Sequence, residues 1–138
     1  MTKRILIMGL PGSGKTTLAQ ALIERLDESG KVLAWFNADS VREQYKDWDF
    51  SLEGRLRQSR RMRQLADSVL GDYVMCDFVA PLQEQRDIFD ADITIWIDTV
   101  EHSQYNDTDL VFVKPAVYDF HITEKNSDYW ASIIAQRI

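Results

Sequence analysis

The amino-acid sequence predicts an α/β fold, a three-layer sandwich in which helices cover both faces of a five-stranded parallel sheet. Two observations lead to this fold class. The sequence contains short apolar runs of strand length and longer segments whose apolar residues recur at helical spacing, and the two kinds of segment alternate along the chain. Strands that alternate with helices join through right-handed crossovers, and such crossovers build a parallel sheet covered on both sides.

The first strand and the first helix enclose a glycine-rich motif. Residues 9–16 read Gly-Leu-Pro-Gly-Ser-Gly-Lys-Thr, a complete G-x-x-x-x-G-K-[ST] phosphate loop, and they follow the apolar run 5–8. In such a loop backbone N–H groups point at phosphate oxygens, the lysine attracts the β- and γ-phosphates, and the threonine hydroxyl binds Mg²⁺. We therefore expect a P-loop NTPase-type sandwich with ATP and Mg²⁺ as cofactors. The predicted nucleotide-binding residues are Gly9, Pro11, Gly12, Ser13, Gly14, Lys15, Thr16 and Thr17.

The next elements follow from local signals. The first helix is expected over residues 15–27, where Gly30 closes it, and the second strand over residues 32–36. Ser51 is a candidate N-cap for a helix that runs to about residue 70. Its expected core contacts are Leu52, Leu56, Leu65 and Val69.

The second half of the chain continues the alternation. Residues 73–76 form the predicted third strand, which Asp77 follows, and Pro81 opens a short helix. The remaining predicted elements are a fourth strand, a shorter fifth strand and a final amphipathic helix, at residues 93–97, 119–123 and 127–138.

The composition fits one domain, residues 1–138, and excludes several classes of protein. No apolar stretch approaches the roughly 18 residues that a membrane span needs, so a soluble, cytoplasmic protein without a membrane partner is expected. The net charge of −6 argues against broad electrostatic binding to a nucleic-acid duplex. The single cysteine, Cys76, allows no internal disulfide and is expected to be buried.

Two aspartates are expected beside the phosphate loop, because ligands of parallel sheets bind at the carboxyl ends of the strands. Asp77 follows the third strand in a Walker B arrangement, so Thr16 and Asp77 form the predicted metal site. Asp39 and Arg42 follow the second strand, three residues apart, and one helical turn would direct both to the same cleft. Phosphoryl transfer to an alcohol needs a carboxylate near the attacking hydroxyl and a cation near the acceptor. The predicted catalytic residues are therefore Asp39, Lys15 and Arg42, although Asp39 also suits a helix N-cap.

Four segments together resemble the adenylylsulfate kinase family. They are the phosphate loop, residues 37–42 (Asn-Ala-Asp-Ser-Val-Arg), residues 49–55 (Asp-Phe-Ser-Leu-Glu-Gly-Arg), and residues 78–81 (Phe-Val-Ala-Pro) with the following Arg-Asp pair at 86–87. The resemblance covers residues 3–99. It implies ATP- and Mg²⁺-dependent phosphoryl transfer to the 3′-hydroxyl of adenylylsulfate or a related small nucleotide, with Asp39 near that hydroxyl.

The same resemblance implies where the acceptor would bind. Arg42 and Arg55 would hold its phosphosulfate, and Phe50 would stack on its adenine. A small-molecule nucleotide is therefore the expected partner, and a homodimer is left open. The implied substrate-binding residues are Arg42, Phe50, Arg55, Gln58 and Phe78.

The chain also departs from the family pattern. Asn37 stands where the family has its first aspartate, Ala38 where it has glycine, and Gln58 where asparagine is usual. The stretch 98–118 is much shorter than the family lid, and Lys114 is its only Lys or Arg residue. A short lid weakens water exclusion and closure over the phosphates. A nucleotide-binding protein with little transferase activity therefore stays open as an alternative.

A second resemblance competes with the first. Residues 37–42 are also similar to the Asn-Arg-Asp-Asp-x-Arg segment of polynucleotide 5′-hydroxyl kinases, in which the aspartate is the base and the arginine meets the acceptor phosphate. Asn37 fits that pattern better. The segments 50–55 and 78–81 do not belong to it, so we favour adenylylsulfate kinase and keep a nucleic-acid acceptor as the alternative.

Overall fold

The computed structural model describes all 138 residues and contains one five-stranded sheet. The strands lie in the order β2-β3-β1-β4-β5, and every neighbouring pair is parallel. The predicted α/β class with a parallel sheet is confirmed. In chain order the strands are β1 (Lys3–Met8), β2 (Leu33–Asn37), β3 (Tyr73–Asp77), β4 (Ile93–Ile97) and β5 (Phe120–Ile122).

Six helices complete the layers, and two of them were not among the predicted elements. α2 begins directly after β2, and α5 lies within the stretch expected to be a short lid. The fourth helix begins at Gln83 and not at Pro81. No helix combines the length and the apolar composition needed to cross a bilayer. The helices are α1 (Lys15–Glu28), α2 (Ala38–Tyr45), α3 (Leu52–Asp67), α4 (Gln83–Phe89), α5 (Asn106–Val111) and α6 (Ser127–Arg137).

The core consists of two apolar layers, one on each face of the sheet. Side chains of a strand alternate between its faces, so β1 sends Ile5 and Ile7 to the layer under α1 and α6. It sends Leu6 and Met8 to the layer under α2, α3 and α4. Cys76 is fully buried in this second layer, as expected. Burial on both faces is why the central strands are continuous apolar runs.

The buried face of α3 differs from the predicted one. Ser51 is the N-cap, as expected, and its side chain accepts a hydrogen bond from the Gly54 N–H. However, Leu52 is 58% exposed and Leu56 is only partly buried, while Leu65 and Val69 pack at the margin of the core. The buried face differs from the predicted one because the inner side of α3 faces a polar cleft as well as the sheet. Its buried residues are Gly54, Arg55, Gln58, Ser59, Met62 and Ala66.

Gly54 lies where the first turn of α3 meets the preceding loop, and a Cβ there would collide with the backbone carbonyl of Asp49. We expect Gly54→Ala to lower the free energy of unfolding by about 1–3 kcal/mol, because overpacking forces the backbone to shift. Urea unfolding measures the change. Gln64→Ala, on the exposed side of α3, is the control and should stay within about 0.5 kcal/mol of wild type. Equal stability of Gly54→Ala and wild type would contradict the tight contact.

Candidate functional site

A cleft of about 940 Å³ opens where the strands end at their carboxyl side. It brings together the phosphate loop, the start of α2, the inner side of α3 and the loops after β3, β4 and β5. Gly9 is the one predicted site residue outside its lining, because it lies beneath the loop against the Ile97 carbonyl. The predicted residues that line the cleft are Pro11, Gly12, Ser13, Gly14, Lys15, Thr16, Thr17, Asp39, Arg42, Phe50, Arg55, Gln58, Asp77 and Phe78.

The phosphate loop has a backbone that only glycine adopts readily. Gly12 and Gly14 have φ angles of 81° and 107°, in the left-handed region. Gly14 is the N-cap of α1 and supplies no side-chain cap, so the first N–H groups of this helix have no intrahelical partner. The Ser13 hydroxyl is also buried without a hydrogen-bond partner. These free donors at a helix N-terminus fit an anionic group.

The Lys15 ammonium group lies within the curve of the loop. Its Nζ donates to the Leu10 carbonyl at 3.1 Å. Burial lowers the pKa of Lys15 to about 8, and the nearby carboxylates of Asp77 and Asp39 oppose this shift. Lys15 is therefore a poorly solvated cation at the base of the cleft, and an anion bound there would raise its pKa.

A hydrogen-bond network surrounds Asp77, which is 2% exposed. Burial raises the pKa of its carboxyl, while hydrogen bonds from Trp35, Asn37 and Thr16 act against that rise. Trp35 Nε1 donates to Oδ1 at 3.0 Å, and Thr16 Oγ1 donates to Oδ2 at 3.2 Å. Asn37 Nδ2 contacts both carboxylate oxygens, at 3.2 and 3.1 Å. The carboxylate is thus held in one orientation beside the phosphate loop.

The orientation of the Asn37 amide follows from helix capping. Its Oδ1 accepts a hydrogen bond from the Ser40 N–H at 3.0 Å and caps α2, which turns Nδ2 toward Asp77. Asn37 is thus the N-cap of α2, and Asp39 lies in the first turn. Trp35 was not among the predicted site residues. The alternation of side chains along a strand could have indicated that Trp35 belongs to the site, because Trp35 and Asn37 are two residues apart and therefore share one face of β2.

The oxygen atoms beside the loop suit a magnesium ion bound together with phosphates. No group of three or more His, Cys, Asp or Glu side chains could hold a metal ion alone. Mg²⁺ keeps several waters and is usually bound through one or two carboxylates plus substrate phosphates, so the Thr16 hydroxyl and the Asp77 carboxylate fit it. Because hydrogen bonds already occupy the Asp77 oxygens, contact through water fits best.

The other side of the cleft presents an aromatic ring beside two buried cations. Phe50 is 45% exposed, whereas Arg42 and Arg55 are 5% and 6% exposed. Both guanidinium groups lie over the Phe50 ring, at 4.3 Å and 5.5 Å from its centre. Arg42 Nη1 donates to the Asp47 carbonyl, and Arg55 Nε to the Phe50 carbonyl, each at 2.9 Å. Desolvation lowers the pKa of both arginines, which indicates cations that would gain from an anion.

The loop that carries Phe50 is held by ion pairs. Arg57 Nε and Arg61 Nη2 lie 2.8 and 3.0 Å from Asp47 Oδ2, and Arg57 Nη2 lies 3.1 Å from Asp49 Oδ2. Hydrogen bonds, chiefly from Arg57, lower the pKa of Asp47. Arg57 and Arg61 of α3 therefore fix this loop.

Gln58 and Phe78 line the cleft, but their contacts hold the fold. Gln58 Nε2 donates to the Ala38 carbonyl at 3.2 Å, and its Oε1 accepts from Arg61 at 2.8 Å. Phe78 packs edge-on against Phe89 at 5.6 Å between ring centres. Both side chains shape the wall of the cleft and have little polar capacity left for a ligand.

The short stretch 98–118 folds onto the side of the cleft that carries Arg55. Tyr105, Asp107 and Thr108 line the cleft. Arg55 Nη2 donates to Thr108 Oγ1 at 3.2 Å and lies 3.7 Å from Asp107 Oδ2. This stretch covers the Arg55 side but brings no basic side chain to the lining, in agreement with the expected short lid.

A basic residue reaches the cleft from another element. Lys125, in the loop between β5 and α6, donates from Nζ to the Gly12 carbonyl of the phosphate loop at 3.0 Å. Lys125 was not among the predicted site residues, because the family lid was expected between the fourth and fifth strands. Parallel-sheet topology is the signal that could have found it, since the loop after the fifth strand opens at the same edge.

Comparisons with known sequences agree with the motifs. A family model described as adenylylsulphate kinase matches residues 1–109. The adenylyl-sulfate kinase of Bacillus pumilus is 37% identical over 87 residues, which are 61% of this chain and 44% of that protein. The adenylyl-sulfate kinase of Shewanella amazonensis is 40% identical over 83 residues, 58% of this chain and 42% of that protein. The chain thus spans less than half the length of these relatives.

Solved structures share the whole fold. The APS kinase CysC of Mycobacterium tuberculosis, in complex with AMPPNP and APS, has a TM-score of 0.85 and covers 98% of this chain and 96% of its own, at 22% identity. A shikimate kinase from Acinetobacter baumannii has a TM-score of 0.67 at 17% identity and covers 99% of this chain and 92% of its own. These likenesses confirm the P-loop kinase fold. The family match extends over most of the chain, and the chain therefore belongs to the adenylylsulphate kinase family.

Proposed function

We propose that this protein is a kinase that transfers the γ-phosphoryl group of ATP to the 3′-hydroxyl of adenylylsulfate, with residues 1–138 acting as one domain. One observation carries the proposal. Asp39 lines the same cleft as Lys15 of the phosphate loop and as Arg42 beside Phe50. A carboxylate that shares this cleft with both cations can serve a donor phosphate and an acceptor hydroxyl that meet there.

In this proposal each side chain has a defined part in the transfer. The free N–H groups of the phosphate loop and Lys15 bind the triphosphate, and Asp39 accepts the proton of the attacking hydroxyl. The acceptor oxygen bonds to the γ-phosphorus as the bond to the β,γ-bridging oxygen breaks, and that oxygen keeps the electron pair in ADP. Mg²⁺, when bound beside Thr16 and Asp77, would neutralise charge on the β- and γ-phosphates.

Binding of the acceptor would use the opposite side of the cleft. Desolvation lowers the pKa values of the buried Arg42 and Arg55, and Arg55 has only a long ion pair with Asp107 at 3.7 Å, so a phosphosulfate would stabilise both cations. The exposed part of the Phe50 ring offers a surface for a base to stack on. A nucleic-acid acceptor is less favoured, because the net charge of −6 argues against broad electrostatic binding to a phosphate backbone.

Substitutions of Phe50 and Arg55 test the acceptor. Phe50→Ala and Arg55→Ala should each weaken adenylylsulfate binding by about 10- to 100-fold, because a stacked base or an arginine–oxyanion bond is lost. Calorimetric titration with Mg²⁺ and ADP present measures this effect, and ATP affinity should stay nearly intact. Tyr129→Ala and Arg60→Ala remove an exposed tyrosine and an exposed arginine outside the cleft and serve as controls.

Two outcomes would contradict the proposal. If wild type does not bind adenylylsulfate but phosphorylates an oligonucleotide with a free 5′-hydroxyl, the chain is an end kinase. If it binds ATP and neither acceptor, the short stretch 98–118 has left a nucleotide-binding protein without transferase activity.

ATP affinity is expected to fall as pH rises through about 8, the pKa of Lys15 in the free protein. Below that pH Lys15 is charged and attracts the phosphates, whereas above it binding must first return a proton to the amine. The terminal phosphate of ATP is already ionised there, since its second pKa lies near 6. Titrations in two buffers with different ionisation enthalpies should show proton uptake above pH 8. An affinity that does not change between pH 7 and pH 9.5 would contradict this role of Lys15.

A further inference from the structure

The loop between β5 and α6 supplies a cation to the lining of the cleft, whereas the stretch 98–118 supplies none there. Lys125 lines the cleft, and its Nζ donates to the Gly12 carbonyl at 3.0 Å. Its side chain is otherwise exposed, so the ammonium group remains hydrated and free to change partner. The contact joins an element outside the predicted site directly to the centre of the phosphate loop.

The surroundings of Gly12 leave room for a ligand next to this lysine. A Cβ built on Gly12 would meet no atom within 4 Å, which indicates open space on that side of the loop. The free N–H donors of the loop and of the first turn of α1 would hold phosphate oxygens close by. A nucleotide phosphate in this space carries full negative charge, whereas the Gly12 carbonyl carries only a dipole. The ammonium group therefore favours the phosphate over the carbonyl.

We propose that Lys125 is a catalytic residue that releases the Gly12 carbonyl and binds the β,γ-bridging region of the triphosphate. The claim that Lys125 acts in catalysis rests on the proposed kinase function. The claim that Lys125 binds the triphosphate rests on the phosphate loop alone. A cation supplied in cis to the phosphates is an established way to stabilise the charge that develops in phosphoryl transfer. Lys125 would take over the part that a longer, basic lid could play.

During transfer Lys125 gives up no proton. The acceptor oxygen bonds to the γ-phosphorus, its proton goes to Asp39, and the bond from that phosphorus to the β,γ-bridging oxygen breaks. The electron pair stays on the bridging oxygen, which becomes a terminal oxygen of ADP. The charged Lys125 stabilises the negative charge that accumulates on this oxygen.

Charge and hydrogen bonding can be separated by two substitutions. Lys125→Gln keeps an N–H donor for the Gly12 carbonyl but removes the charge, whereas Lys125→Arg keeps the charge. Lys125→Gln should weaken ATP binding by about 10- to 100-fold, ADP binding by less, and AMP binding hardly at all. Lys125→Arg should stay within about threefold of wild type for ATP. Lys31→Gln removes an exposed lysine outside the cleft and is the matched control.

Calorimetric titration of ATP, ADP and AMP with Mg²⁺, without any acceptor, decides the binding part. If Lys125→Gln binds ATP as tightly as wild type, or loses affinity for all three nucleotides by one factor, Lys125 only holds the loop and the proposal is overturned. Because no acceptor is present, these outcomes do not depend on the proposed function, which fails separately if wild type does not phosphorylate adenylylsulfate. In a protein that does transfer, Lys125→Gln should also lower kcat.

Discussion

Lys15→Ala is expected to abolish ATP binding or phosphoryl transfer in a protein that stays folded. Lys15 is the cation at the base of the cleft, held against the Leu10 carbonyl with no full anionic partner in hydrogen-bond contact. A preorganised charge in a poorly solvated site stabilises phosphate oxygens strongly, so its removal should lower ATP affinity or kcat by at least about 100-fold.

The folding stability of Lys15→Ala should not fall with its activity. The pKa of Lys15 is about 8 in the folded protein against 10.5 in the ordinary state, so between these values the unfolded chain binds more protons. The free energy of unfolding therefore rises with pH in that window, and at pH 7 the charged lysine disfavours the folded state. Replacement by alanine removes this unfavourable charge.

Thermal unfolding together with calorimetric titration of ATP separates the two effects. Lys31→Ala, an exposed lysine outside the cleft, is the control and should bind ATP as wild type does. A folded Lys15→Ala protein with unchanged ATP affinity and unchanged turnover would show that residues 9–16 are not a phosphate-binding loop.

The sequence predicted those parts of the fold that depend on local patterns. The central strands were found within two residues at each end, because β1, β3 and β4 are apolar runs buried on both faces. The phosphate loop was found because its glycines and its lysine have fixed spacing. The sequence also predicted that Asp39 and Asp77 would share one cleft, because each follows a strand and parallel strands end at one edge of the sheet.

The parts that were missed depend on contacts between distant segments. The sequence did not indicate which face of α3 is buried. Arg55 and Gln58 lie on that face because they donate hydrogen bonds to the Phe50 and Ala38 carbonyls, and an apolar pattern does not predict such contacts. α5 was missed because a helix of six residues gives little periodicity. The contact of Lys125 with the phosphate loop joins residues 113 positions apart.

Asp39→Asn is expected to lower phosphoryl transfer by roughly 100-fold or more while ATP affinity changes little. Asp39 is exposed in the cleft, and the substitution removes the carboxylate that would accept the proton of the attacking hydroxyl. The sequence left open that Asp39 caps a helix, but Asn37 is the N-cap of α2. Asp39→Asn should therefore reduce the free energy of unfolding by no more than about 1 kcal/mol, the usual interaction of a first-turn carboxylate with the helix dipole.

Single-turnover measurements with saturating ATP and Mg²⁺ give the transfer rate, and calorimetry gives the ATP affinity. Glu43→Gln removes an exposed carboxylate from the same helix outside the cleft and should leave both quantities unchanged. A rate for Asp39→Asn equal to that of Glu43→Gln would exclude Asp39 as the base. A parallel loss of Mg²⁺-dependent ATP affinity would assign Asp39 to the metal site beside Thr16 and Asp77, because a base for the acceptor hydroxyl has no part in binding ATP.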